Sequence, residues 1–322
     1  MNIDLDKMNG FKGFTNIAEI KALIAQKELF IFDLDGTMFN SLGDLAPAVN
    51  YALKQFGIQE ISKDNVRSCI GNGSRNLIRR SVASGIMFGA GKTAGEPIEG
   101  KSRAEHLDVR DNEAVAAILE SAGFDEAKID EVLKTYSGYY WEHCTEETEP
   151  YEGVLEFIDW ICGSKSRGEG AGNSSGRDDS AGQATSRKIA AMLTNKPVLP
   201  AKKILEKFGL LSSAMRNNAD AGKESISKNR AESSRDADKI SYYLCGDTTP
   251  ERKPGPGGIY KILADTGVAP EKAVMIGDDT PDVMAAKNAG IDSIICLEGF
   301  GRPENLLPLE PKYTIRHIKD LV

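Results

Sequence analysis

Two aspartates stand two residues apart in the run Phe32-Asp33-Leu34-Asp35-Gly36-Thr37. A sharp turn at Gly36 would place both carboxylates at the mouth of one site. One carboxylate can then attack phosphorus to form an aspartyl phosphate, while the second protonates the leaving alkoxide and later deprotonates the hydrolytic water. Asp33 fits the first role and Asp35 the second. Two such aspartates can equally satisfy turn amides or cap a helix starting near Leu42.

Three further clusters bear on that choice. Thr194-Asn195 offers a hydroxyl, an amide and backbone N–H donors suited to phosphoryl oxygens, or else a helix cap before Pro197. Lys253 lies in Glu-Arg-Lys-Pro-Gly-Pro, where prolines and glycines stiffen a loop and could hold an ammonium at a fixed point; a solvated charge is the alternative. Gly277-Asp278-Asp279-Thr280-Pro281-Asp282 carries Asp278, with Asp279 and Asp282 in reach, as donors to a hard cation, for which magnesium is the natural choice. A site gathering these carboxylates would repel a phosphate dianion unless a cation and Lys253 compensated it.

Each cluster follows a short apolar run. Residues 28–33, 189–193, 240–245, 273–276 and 293–297 read as buried strands. Helices are expected over 42–58, 66–69, 76–82, 114–122, 129–141, 154–161, 200–208, 258–267 and 282–289, several closed by glycine. Strands alternating with helices predict an α/β fold with a parallel sheet covered on both faces, and ligands gather at the carboxyl ends of such strands. The block 44–148 reads as all-helical. Three segments, 85–104, 163–187 and 211–239, break the rhythm and are expected to be mobile insertions. The middle one has no sizeable apolar side chain to offset the entropy of ordering.

The 322 residues carry 40 basic and 48 acidic side chains, for a net charge of −8. This acidic balance, with no aromatic interleaving of basic residues, argues against nucleic-acid binding. No run of eighteen apolar residues occurs, and the acidic start does not resemble a secretory leader, so neither a membrane nor an exported setting is expected. Five widely spaced cysteines without a close pair fit a reducing cytoplasm. Three histidines, His106, His143 and His317, read as structural and are too few for a multi-imidazole zinc centre. Oligomeric state is left open.

The stretches FDLDGTMFNSLGDLAPAVNYAL at 32–53, CIGNGSRNLIRR at 69–80, EPYEGVLEF at 149–157, TNKP at 194–197 and ERKPGPGGIYKILADTGVAPEKAVMIGDDTPDVMAAKNAG at 251–290 resemble the haloacid dehalogenase-like phosphatases. Within that superfamily they are most similar to the phosphoglycolate phosphatases. The resemblance implies a Rossmann-like core, 24–43 and 149–322, with a helical cap inserted at 44–148. It implies magnesium-dependent hydrolysis of a small phosphorylated metabolite, with 2-phosphoglycolate giving glycolate and inorganic phosphate, and a place in carbohydrate metabolism.

Carried residue by residue, the resemblance makes Asp33 the nucleophile and Asp35 the acid/base. Asp33, the Asp35 backbone carbonyl and Asp278 would hold Mg2+, with Asp282 completing or supporting the metal site and Asp279 a further candidate. Thr194 and Lys253 would bind the phosphoryl group, Asn195 would support its loop, and Gly36-Thr37 would lie beneath the substrate. Gly71, Asn72, Gly73 and Arg75 would form the cap's substrate loop, with Arg75 meeting a substrate carboxylate. Two departures stand out: Met38-Phe39-Asn40 follows DLDGT, and Asp279 occupies a position where relatives often carry Ser or Thr. A sugar-phosphate mutase of the same fold would use the same groups, and a non-catalytic phospho-ligand protein would share the cleft.

Overall fold

The computed structural model describes residues 13–87, 108–163, 188–211 and 238–322. The first expected strand is β1 (Leu29–Phe32), entirely buried. It sits mid-sheet, hydrogen-bonded on one side to β4 (Ile189–Leu193) and on the other to β6 (Ala273–Gly277). With β5 (Tyr242–Leu244), β7 (Asp292–Cys296) and β8 (Tyr313–Ile315), these form a six-stranded parallel sheet of order β5-β4-β1-β6-β7-β8. The chain winds outward from β1 through β4 to β5, then crosses back to β6. That reversal creates a crevice at the carboxyl ends of the central strands.

Side-chain alternation along β1 separates two layers. Phe30 and Phe32 enter one cluster with Ile20 and Ile24 of α1 (Ile17–Gln26), Phe157 and Ile158 of α7 (Val154–Ile161), and Ile204 and Leu205 of α8 (Val198–Lys207). Leu29 and Ile31 face the other way, onto Ile259 and Ile262 of α9 (Gly257–Thr266) and Ala285 and Ala286 of α10 (Thr280–Ala289). Each fully buried apolar side chain of this size contributes roughly 1.5–3 kcal/mol.

A second group of helices comprises α2 (Leu42–Gln55), α3 (Lys63–Cys69), α4 (Ser74–Met87), α5 (Asn112–Ser121) and α6 (Glu126–His143). They bury their own core, including Leu53, Val66, Ile78, Leu119, Ile129 and Tyr140, and constitute the helical cap over the Rossmann-like sheet. The chain leaves the sheet through β2 (Phe39–Asn40) and returns through β3 (Glu149–Pro150), which pair antiparallel. Beside them the Asp44 carboxylate accepts from Glu147 N at 2.7 Å, Thr148 N at 2.9 Å and Thr148 Oγ1 at 2.6 Å. The departing and returning chains are thereby stapled together.

Several elements exceed their sequence signal. Helix α4 runs through Gly85 to Met87, three residues into the expected insertion at 85–104, and Gly85 packs closely there, where a Cβ would stand 2.5 Å from Ile58 Cγ2. Helix α1 and strand β8 were not anticipated. The rest of the 85–104 segment, 164–187 of the second and 212–237 of the third lie outside the described residues, as does His106. Leu211, Asp238 and Lys239 are described, and Lys239 Nζ pairs with Asp159 at 2.6 Å.

Candidate active site

Asp33 directly follows β1, its N–H bonded to the Ile276 carbonyl of β6 at 2.9 Å. The chain then turns at Gly36, with φ +92°, where a Cβ would stand 2.2 Å from Asp278 Oδ2. Only glycine allows the turn to lie this close to that carboxylate. Asp278 follows β6 and is fully enclosed: its Oδ1 accepts from Thr37 Oγ1 at 2.6 Å and its Oδ2 from Phe300 N at 2.7 Å and Gly301 N at 3.2 Å. Asp282 completes a capping box at the start of α10, its Oδ2 accepting from the N–H groups of Asp278 and Asp279, each at 3.0 Å.

Carboxylate oxygens of Asp33, Asp278 and Asp282 lie within 4.8 Å of one another. Lys253 Nζ reaches into this group, 2.7 Å from Asp33 Oδ1 and 2.6 Å from Asp282 Oδ1. Its loop is tied to the 194–195 turn by a reciprocal pair, Asn195 Nδ2 to the Lys253 carbonyl at 2.9 Å and Lys253 N to Asn195 Oδ1 at 3.1 Å. Burial opposes charge on Lys253, but Asp282 and Asp33 outweigh it and hold the ammonium above its usual pKa.

Burial pushes the Asp33 carboxyl up to about 7 despite the pull of Lys253, with Asp282 and Asp35 adding to the rise. The Asp278 carboxyl is driven well above the carboxylate range by burial and then by Asp33 and Asp282. Three crowded carboxylates with one ammonium among them lack positive charge. Hard oxygen donors clustered in this way fit a divalent cation such as Mg2+, which would supply it.

Asp35 faces a different set of partners. Lys196 Nζ lies 3.0 Å from both of its carboxylate oxygens, and Ser41 Oγ donates to Oδ1 at 2.5 Å. The same ammonium donates to the hydroxyl of Tyr140, on α6, at 2.6 Å. Thr194 is buried, its hydroxyl accepting from Lys196 N at 3.2 Å.

These groups floor a cleft between sheet and cap. Asp33, Asp35, Thr194, Asn195, Lys253, Asp278, Asp279 and Asp282 line it, with Gly71, Asn72 and Gly73 on the cap side. Gly36 and Thr37 lie behind Asp278 instead of on the cleft wall. Arg75 lies elsewhere: it pairs with Glu126 and Asp130 on the outer surface of the cap, while Arg79 also meets Glu126. Asp279 falls outside the close carboxylate group and pairs with Arg110 at 2.9 Å.

Lys196 lies within TNKP, but an unaccompanied lysine carries no positional signal in the sequence. Tyr140 reads as one more apolar position of an amphipathic helix, and the Phe300 and Gly301 amides that hold Asp278 have no side-chain signature at all.

A model of the haloacid dehalogenase-like hydrolase family matches residues 27–290. Phosphoglycolate phosphatase 1 of Pseudomonas aeruginosa is 26% identical over 294 residues, covering 91% of this chain and 78% of that protein. The phosphoglycolate phosphatase of Psychrobacter arcticus is 26% identical over 296 residues, 92% of this chain and 94% of that protein. Among solved structures, a predicted phosphoglycolate phosphatase from Haemophilus somnus shares the fold with a TM-score of 0.61 at 22% identity, over 92% of this chain and 96% of that one. CbbY from Rhodobacter sphaeroides, in complex with phosphate, does so with a TM-score of 0.55 at 16% identity, over 92% and 96%. A family match spanning most of the chain, on a sheet that carries these carboxylates at its central strand ends, makes the protein a member of the haloacid dehalogenase-like hydrolases.

Proposed function

We propose that this chain hydrolyses small phosphate monoesters by double displacement on Asp33. The observation that carries the reading is the Asp33 carboxylate, 2.7 Å from Lys253 Nζ and two residues from Asp35, on the floor of a cleft closed by a cap. An Asp33 oxygen attacks phosphorus as the ester P–O bond breaks, and Asp35 gives its proton to the leaving alkoxide. Water then attacks the aspartyl phosphate, Asp35 takes the water's proton, and the P–O bond to Asp33 breaks to release inorganic phosphate.

Lys253 and the Thr194 hydroxyl meet the phosphoryl oxygens, and Asn195 holds their two loops in register. Mg2+ bound by Asp33, the Asp35 carbonyl and Asp278, with Asp282 alongside, would neutralise charge on the phosphoryl group. Lys196 and Ser41 keep the Asp35 carboxyl on the cleft side of its turn.

The names of the relatives make 2-phosphoglycolate the first substrate to test. Its carboxylate would meet the backbone donors of the Gly71–Gly73 loop. A second reading rests on the cleft wall: Leu45, Ile70, Leu77, Tyr136, Trp141 and Phe300 surround the organic half, and among the described residues the lysines lining the cleft, Lys196 and Lys253, both sit on its floor. That wall favours monoesters with a neutral, apolar organic part.

Phosphate release from 2-phosphoglycolate, sugar phosphates, phenyl phosphate and pyrophosphate, with Mg2+ or with chelator, separates these readings. Conversion of a sugar phosphate to its isomer without phosphate release would point to a mutase. Asp33→Asn should lose roughly 1,000-fold or more in kcat. Near-parental turnover in that variant would discard Asp33 as nucleophile.

A further inference from the structure

Arg110 joins the cap to the core at the edge of the cleft. Its backbone is fixed in the cap: Val109 before it is fully buried there, and Asp111 after it caps α5 by accepting from the Glu113 and Ala114 N–H groups. From this anchor the guanidinium reaches across to the core. Nη1 donates to both oxygens of Asp279, at 2.9 and 3.0 Å, and Nη2 donates to the Ile70 carbonyl at 3.2 Å. The two side chains are only 13% and 12% exposed, so the pair is screened far less than a surface ion pair.

Both ends of the pair touch the site. Ile70 precedes Gly71-Asn72-Gly73, three consecutive residues at positive φ that line the cleft. A Cβ on Gly71 would stand 2.8 Å from Asp279 Oδ2, so this loop and this carboxylate are in contact. Arg80 grips the same loop from within the cap, donating to the Gly71 carbonyl at 3.2 Å. On the core side Asp279 caps α10 and adjoins Asp278 in the chain. One guanidinium therefore ties together the cap body, the loop over the cleft and the core strand end that carries Asp278.

Any movement of the cap away from the sheet must part Arg110 from Asp279. Parting them leaves Asp279 uncompensated beside three other carboxylates. The geometry points to the Arg110–Asp279 pair as a closure latch: it forms when the cap shuts and positions the Gly71–Gly73 loop over the cleft. Asp279 is thus a positioning residue, acting through Arg110, and the latch stands whichever ester is cleaved.

The test compares Arg110→Gln, Asp279→Asn and the double variant by hydrogen–deuterium exchange of the metal-free full chain. Asparagine caps helices about as well as aspartate, so Asp279→Asn removes the charge while sparing α10. Exchange across residues 70–77 should rise about fivefold in each single variant and no further in the double, with α2 and α6 unchanged. For any ester the parent turns over, KM should rise in Arg110→Gln while kcat at saturation stays within about twofold, and the parent's KM should be more salt-sensitive than that variant's. If Arg110→Gln fails to fold, Asp279→Asn decides alone. Unchanged exchange at 70–77 in Asp279→Asn, or single-variant effects that add in the double, would overturn the latch. Loss of all turnover in Asp33→Asn with the exchange pattern intact separates this question from the chemistry.

Discussion

Lys196 holds Asp35 by both carboxylate oxygens, at 3.0 Å each, while donating to the Tyr140 hydroxyl of the cap at 2.6 Å. A buried ammonium thus spans the proposed acid/base and the underside of the cap. Lys196→Met should lower kcat by about 10–100-fold with KM changed less than about threefold, since it frees Asp35 without touching the phosphoryl donors. Tyr140→Phe should cost no more than about fivefold. Steady-state kinetics with one monoester checks both, and a Lys196→Met change confined to KM would count against the positioning role.

Metal binding and pH should be linked. The Asp33 carboxyl is raised to about 7 from 3.8, chiefly by burial, and Asp278 shifts in the same direction. A raised carboxyl makes the folded chain bind more protons than the unfolded one between roughly pH 4 and 7, so metal-free stability from these groups falls as pH rises through that window. A divalent cation replaces the proton. The rise in Tm on adding Mg2+ should therefore be larger at pH 8 than at pH 5.5, by about 3 °C or more, and Asp278→Asn should reduce that difference. Thermal melts at the two pH values provide the measurement; equal gains would contradict the linkage.

Gly36→Ala should destabilise the fold by roughly 2 kcal/mol or more. A side chain there must adopt φ +92° and displace the Asp278 carboxylate, 2.2 Å from the new Cβ. Urea unfolding measures the loss, and Mg2+ should stabilise the variant less than the parent because the Asp278 oxygen has moved.

Arg75→Ala should leave kcat/KM within about twofold. The guanidinium is spent on Glu126 and Asp130, 40% exposed on the outer cap, and surface pairs contribute little. A fall of about tenfold or more for 2-phosphoglycolate, without one for phenyl phosphate, would show that Arg75 turns inward to meet a carboxylate.

The sheet and its crevice were legible because each relevant strand is a short apolar run ended by a polar cluster, as at Phe32-Asp33 and Ile276-Gly277-Asp278. Parallel strands buried on both faces leave that mark in any chain. Helix α1 lies outside the expected elements although its signature is present, with Asn16 as cap and Ile17, Ile20 and Ile24 at helical spacing. The 2.7 Å contact of Asp33 with Lys253 follows from crossover topology, which periodicity does not encode. Arg75 shows the opposite limit: a motif fixed its place in the chain, whereas the acidic face of α6 fixed where its side chain went.

The paired crossings at Phe39–Pro150 and Asn40–Glu149 carry one more implication. A chain passing straight from Asn40 to Glu149 would need only a hairpin turn of a few residues, so the sheet can be complete whatever is threaded between them. The cap is in that sense a cassette, and evolution or an engineer can exchange it for another while the phosphoryl-handling strand ends stay as they are.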